Sequence, residues 1–484
     1  MYSRVSVIQS QKKIFLYAKR KAVIKAICIL LLLTPGLAVF AQNNSTLNLS
    51  DAVKTGLSNY QSIKAKSNYI KSSQALVQQV KNQYLPDVIG SLQDAFGTIN
   101  GQFGAAAPLA GTVSSSGPTY NSQSWNAAFG SLYLVNVNWE FISFGRLQSK
   151  VNASFAQVKT DSSVFLQEQF VTSVKIAGTY LNLLIARRFI LNAQANIDRA
   201  SYVQQSVVAR AKSGLIAGVD SSIANAEVSG ARLALLQATA NEQRVRSDLV
   251  QLLNAAPDEY KELDSSFFSN TPVNYTTSFQ VANNPQVKFY ESRILQSNAF
   301  EKYIRRSINP GLNLFGTFQG RGSGFDYNYT PDFTDRYSKS LSGFAPNRYN
   351  YLVGIGISWN LMSPFKIKEQ ARSQSYLSAA YKDEYDLVLT QLKDQLVLAD
   401  QQIENSFKSI AEAPLQLKAA TDAYNQKTVL YKNGLTNIVD VQQALFTLNR
   451  AQTDNSVAYI NIWQALLLKA AASGDFDLFI KQVK

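Results

Sequence analysis

Lys432-Asn433-Gly434-Leu435-Thr436-Asn437-Ile438-Val439-Asp440 is the stretch whose reading decides the fold. It separates two long tracts with helical patterning, and Gly434 lets the backbone turn where a helix would otherwise run on. Nearly the same words stand earlier as Lys212-Ser213-Gly214-Leu215-Ile216-Ala217-Gly218-Val219-Asp220. Lys, Gly, Leu, Val and Asp recur at a spacing of 220 residues, and the pairs Ala224/Ala444 and Trp139/Trp359 keep that offset. A unit of about half the chain is used twice, an internal two-fold sequence repeat with these turns as its tips.

The first 41 residues are a separate object. Basic residues (Lys12, Lys13, Lys19, Arg20, Lys21, Lys25) precede the apolar run from Ala26 to Leu33, then Pro35-Gly36 and Val39-Phe40-Ala41. That is the pattern of a secretory signal peptide, 1–41, cut after Ala41. A membrane anchor is the alternative, but the run falls well short of the ~20 residues a spanning helix needs. Lipid attachment at Cys28 is disfavoured, because the apolar run follows that cysteine. Loss of the leader removes seven basic residues and no acids, so the net charge falls from +14 to +7 and a nucleic-acid partner loses its main support. The exported chain has no cysteine and the whole chain no histidine. Disulfides, thiolate or imidazole metal sites and histidine-based catalysis are excluded, so no cofactor is expected and an enzyme is disfavoured.

The mature chain falls into two units, 42–284 and 285–484. The first reads as a helix over 49–84 capped at Ser50-Asp51, strands 86–98 and 126–141, a long helix 145–212, a return helix 220–254, and a mixed equatorial segment 255–284 packed outside the helices. The second repeats the order: a helix from Pro285, strands 310–319 and 349–361, a long helix 365–432, a return helix 440–472 and a C-terminal tail. Gly-rich segments 99–125 and 320–348 read as exposed loops. In the second strand Phe129, Tyr133, Val135, Val137, Trp139 and Phe141 alternate with Asn136, Asn138 and Glu140. Such a strand suits lipid on one face and water on the other, or a half-buried place in a soluble sandwich; the export signal and strand length favour lipid.

Each long helix would extend ~100 Å at 1.5 Å per residue, too far for a compact globule, so it must run beside similar helices. Pro414 should bend the second one. In the last helix Val441, Leu448, Asn455 and Ile462 recur every seven residues, with Ala444, Ala451, Ala458 and Ala465 between them. That period implies a left-handed supercoil, with an ordinary bundle core as the alternative reading of this one helix. Four strands per chain cannot close a barrel, and an open sheet in lipid would leave edge N–H and C=O groups unpaired. Three chains would supply twelve strands, and their helices a second cylinder: a trimeric membrane β-barrel continuing into a tunnel of helices.

At this point a resemblance is specific. Tyr431-Lys432-Asn433-Gly434 with Ile438-Val439-Asp440-Val441 and Ala444, and the junctions Trp139-Glu140-Phe141 and Trp359-Asn360-Leu361, resemble the TolC family of bacterial outer-membrane efflux proteins over essentially the whole mature chain. The resemblance implies an outer-membrane homotrimer without catalytic activity, the exit duct of a tripartite efflux or type I secretion system. Its partners would be outer-membrane lipid, a periplasmic adaptor (membrane fusion) protein and an inner-membrane pump of the RND or ABC type. Gly214-Leu215 and Gly434-Leu435 match the adaptor-docking tips, and Trp139 and Trp359 the strand–helix junctions. At the periplasmic gate Asp440 matches the first of two ring aspartates, and Gln443 stands at the second. Thr436 stands where the family carries an arginine that holds the tips closed, and Asp220 matches its carboxylate partner; that latch is absent or built differently. From the residues alone, Asp220 and Asp440 can equally be helix caps, and the glycines simple turn residues. A surface coiled-coil or adhesin protein is the competing reading, but it has no need of two amphipathic hairpins.

Overall fold

A computed structural model describes residues 47–101, 118–255, 263–273, 281–329 and 341–483. The leader, most of the loop 99–125, part of the loop 320–348 and parts of the segment 255–284 lie outside the described residues. The chain divides into a small unit, 1–47 with 257–263, and a large one, 48–256 with 264–484. Of the small unit only Leu47 and Leu263 are described, paired as an isolated parallel bridge.

Helix α1 (Leu49–Asn59) is capped by Asn48, whose side chain accepts from the Asp51 amide at 2.8 Å, so the cap lies just before the expected Ser50-Asp51. The tract to residue 82 is two helices, because Tyr60 takes ψ 125° before α2 (Gln61–Asn82) begins. Ser58 Oγ bonds back to Thr55 O, and side chains of this kind compete with helix continuation. Strands β1 (Asp87–Thr98) and β2 (Ala127–Ile142) follow, then helix α3 (Arg146–Lys212) and helix α4 (Gly218–Leu253). Helix α5 (Pro285–Arg306), strands β3 (Gly311–Ser323) and β4 (Arg348–Ser358), helix α6 (Ser363–Lys432), helix α7 (Ile438–Ser473) and a short α8 (Asp477–Ile480) complete the order. Pro414 lies inside α6, which continues as one helix from Ser363 to Lys432.

The four strands form one antiparallel sheet in the order β1-β2-β3-β4. The outer edges of β1 and β4 have no partner strand among the described residues. Register places Val88, Leu92 and Phe96 opposite Val137, Tyr133 and Phe129, and Leu314, Gly316 and Phe318 opposite Ile355, Val353 and Tyr351. All of these share one face, because directly paired residues point the same way. The other face carries Gln93, Asn136, Asn138, Thr317, Gln319 and Asn350; Thr317 Oγ1 donates to Asn136 Oδ1 at 2.6 Å across it. Phe315 lies on this polar face above Gly354, where an added Cβ would come within 2.5 Å of its ring. Alternation fails at one expected position. A bulge between Glu140 and Ile142 takes Phe141 out of register, and Ile142 pairs with Leu312 instead.

The helices pack as α3 with α4, α6 with α7, and α3 with α7. In α7, Val441, Leu448 and Ile462 and the alanines 451, 458 and 465 are buried, which is the seven-residue seam. Segment 264–268 packs on α3 and α7: Phe267 is buried with its ring 6.0 Å from Tyr180 and 5.0 Å from Trp463. Trp463 Nε1 donates to Phe267 O at 3.2 Å, and Phe479 of the C-terminal tail closes the far edge of Trp463. Among the described residues no helix is long and apolar enough to cross a membrane.

Candidate functional site at the helical tips

The α3–α4 and α6–α7 turns are built alike. Gly214 and Gly434 take φ +71° and +73°, the left-handed conformation that L side chains adopt at a cost. Leu215 N donates to Arg210 O at 3.0 Å and Leu435 N to Leu430 O at 2.9 Å, the six-residue closure that ends a helix on glycine. The turn then aims its leucine outward: Leu215 is 71 % exposed and Leu435 72 %. Beneath them one core joins both hairpins, from Val203, Val207, Ala224 and Val228 to Tyr424, Tyr431, Val441 and Leu445. Two apolar side chains thus stand in solvent above a filled core.

The aspartates are not caps. Helix α7 is capped by Asn437, whose Oδ1 accepts from the Asp440 amide at 2.9 Å, and α4 begins at Ala217 without a side-chain cap. Asp440 lies in the first turn with its carboxylate free for other partners. Thr436 Oγ1 donates to Asp440 Oδ2, and Lys427 Nζ reaches the same oxygen at 3.0 Å. The Thr436 hydrogen bond, then Lys427, hold the Asp440 carboxyl below the usual carboxylate range. Thr436 thus comes to Asp440, and no hydrogen bond or ion pair joins it to Asp220 within the chain. Gln443 is exposed one turn further along α7.

The hairpins are tied by residues that sequence reasoning missed. Lys432 Nζ donates to Tyr202 Oη at 2.7 Å and stands 4.7 Å from the ring centroid. Arg210 donates to Tyr431 O at 2.9 Å, with its guanidinium 5.4 Å from the Tyr431 ring. Arg199 Nη2 donates to Asn449 and Gln452, each at 2.8 Å; burial lowers its pKa. Burial likewise raises the phenol of Tyr424. These partners lie about 220 to 250 residues apart in sequence, so no local signal marks them.

At the other end of the long helices the two junctions match. Trp139 Nε1 donates to Tyr84 O at 2.8 Å and Trp359 Nε1 to Ile308 O at 3.0 Å, each reaching the corner that precedes the neighbouring strand. Gly145, at φ +82°, starts α3; Ser363 and Pro364 open α6.

Residues 52–255 match the family model described as outer membrane efflux protein. Over those residues the chain is similar to that family. This is the TolC family of the resemblance, and its members reside in the outer membrane. A four-stranded sheet on long helices is the efflux-channel fold. The chain is 23% identical over 314 residues to the cobalt-zinc-cadmium resistance protein CzcC of Cupriavidus metallidurans, covering 64% of this chain and 69% of that one. The outer membrane protein VceC from Vibrio cholerae superposes with a TM-score of 0.68 at 15% identity, over 88% of this chain and 96% of that chain. The outer-membrane channel OprN gives 0.67 at 17% identity, over 88% and 89%.

Proposed function

We propose that this protein is a homotrimeric exit duct, in which three four-stranded sheets close a twelve-stranded barrel and the helices continue it across the periplasm. The observation that carries the reading is the sheet itself. Its register sorts most apolar side chains to one face and the amides to the other, and among the described residues both outer strands are left without a partner. In lipid such edges must be paired, and two further copies pair them while turning the polar face to water. The recurring element order of the two halves supports a duplicated unit that places two tips per chain.

In this reading Leu215 and Leu435 dock a periplasmic adaptor coupled to an inner-membrane pump, and the Asp440 carboxylates face the three-fold axis as the gate. Lys427 offsets part of that charge, which with Gln443 makes a weakly charged ring. The carboxylate partner of the family's latch, Asp220, takes no part; Lys432–Tyr202 and Arg210–Tyr431 hold the hairpins instead. Cargo is set by the pump. The relative CzcC, a cobalt-zinc-cadmium resistance protein, makes divalent metals the first class to test, although among the described residues no group of three metal-ligating side chains is present.

The test is extraction of outer membranes in detergent followed by electrophoresis with and without heating. Heat-dissociable trimers, and increased susceptibility to cobalt, zinc and cadmium or to organic drugs on gene deletion, support the duct. A monomer in the soluble fraction excludes it.

A further inference from the structure

Two arginines stand side by side at the end of the sheet away from the helices. Arg321 of β3 pairs directly with Arg348 of β4, and Leu132 and Gln93 complete their row across β2 and β1. They lie on the polar face, in the same alternation as Gln319 and Thr317. Directly opposed like charges disfavour strand pairing, so this juxtaposition is costly for the fold. Among the described strand residues no carboxylate of this face lies near them. The carboxylates of that face, Asp87 and Glu140, sit at the helix end, and Glu140 is already bound by Arg146. From Arg321 to Asn313, the partner of Glu140, is eight residues, about 27 Å at the ~3.4 Å rise of a strand. That is several times the ~8 Å over which salt screens charge.

Neither arginine has a carboxylate partner among the described residues. Arg348 Nη1 donates to Asn347 O at 2.8 Å, and the Asn347 amide donates to Arg321 O at 2.9 Å, so the backbone holds the two together. A hollow of about 570 Å³ at this end takes Arg321, Gln319 and Gln93 into its wall. Guanidinium forks beside amide donors are the chemistry that binds oxyanions in two-pronged fashion.

We propose that Arg321 and Arg348 form an oxyanion-binding ring inside the outward end of the barrel, with six guanidiniums in the trimer, selecting sulfate-, phosphate- or carboxylate-bearing solutes as they leave. The proposal rests on the trimeric duct and adds a selectivity element to it. Charged rings tune passage through pores when they stand in the path of the ion.

The experiment uses purified full-length trimers in phosphatidylcholine bilayers, with sodium sulfate as blocker, and anisotropy of the polysulfonated dye pyranine as a binding measurement independent of the gate. Wild type is compared with Arg321→Gln/Arg348→Gln and with Arg321→Lys/Arg348→Lys. The glutamine pair should raise the half-blocking sulfate concentration at least tenfold and abolish dye binding. The lysine pair should keep the ion preference but weaken sulfate block about threefold, because the charge remains and the fork is lost. Unchanged sulfate block and dye binding in heat-stable trimers of the glutamine pair would overturn the ring while leaving the duct intact. If wild type forms neither trimers nor channels, the duct reading itself fails.

Discussion

The ammonium of Lys432 donates to the hydroxyl of Tyr202 at 2.7 Å, joining the last residue of one long helix to a residue nearly three turns from the end of the other. The contact ties two hairpins that the chain visits more than two hundred residues apart. It is exposed, so its strength comes from charge-assisted hydrogen bonding and the ring face and not from burial.

Lys432→Met should therefore loosen the tips without unfolding them. An exposed cation–π contact is worth about 0.5–1 kcal/mol, so open-state occupancy should rise roughly two- to fivefold. Combined with Tyr202→Leu, the effects should be less than additive, and single-channel recording of both singles and the double measures the coupling. Full additivity would show that the two residues act separately.

Asp440 gives the tips a pH dependence of predictable sign. Thr436 and Lys427 depress its folded pKa, so its stabilising contribution is complete at neutral pH and is lost as pH falls through that depressed value. Conductance should rise on acidification below the ordinary carboxylate range. Asp440→Asn should be more conductive at neutral pH and insensitive to that acidification, and Thr436→Val should move the transition upward.

The two kinds of glycine should respond differently. A Cβ added at Gly434 would meet no atom within 4 Å, and only the φ of +73° resists a side chain, so Gly434→Ala should cost ~1–2 kcal/mol locally and leave trimers intact. Gly354→Leu would drive a side chain into the Phe315 ring on the polar face of the sheet. Assembly should then fail, as read by loss of the heat-dissociable trimer band.

Trp139→Phe and Trp359→Phe each remove one indole N–H from a backbone carbonyl while keeping an aromatic ring. About 1 kcal/mol per bond is expected, seen as a lower dissociation temperature of the trimer. Because the carbonyls belong to Tyr84 and Ile308 at equivalent corners, the two substitutions should have similar effects.

Much of the architecture was legible because it is periodic. Alternation marked the strands, the seven-residue seam of Val441, Leu448 and Ile462 marked the packing of the last helix, and the glycines marked turns that need positive φ. The bulge at Phe141 was not legible, since one inserted residue changes the face without changing the composition. The cap at Asn437 was not legible, with Asp440 an equal candidate, because both residue types cap helices and only the backbone shows where the helix starts.

By itself the sequence determined the elements, the duplicated tip and the absence of cysteine and histidine chemistry, since these follow from local pattern and from which side chains exist. Only the tertiary structure decided that β2 lies beside β3, that Lys432 meets Tyr202, that Asp440 is held by Lys427, and that Arg321 faces Arg348. Each of these is a pairing across tens to hundreds of residues, and residue order carries no distance over such a span until helices pack and strands take register.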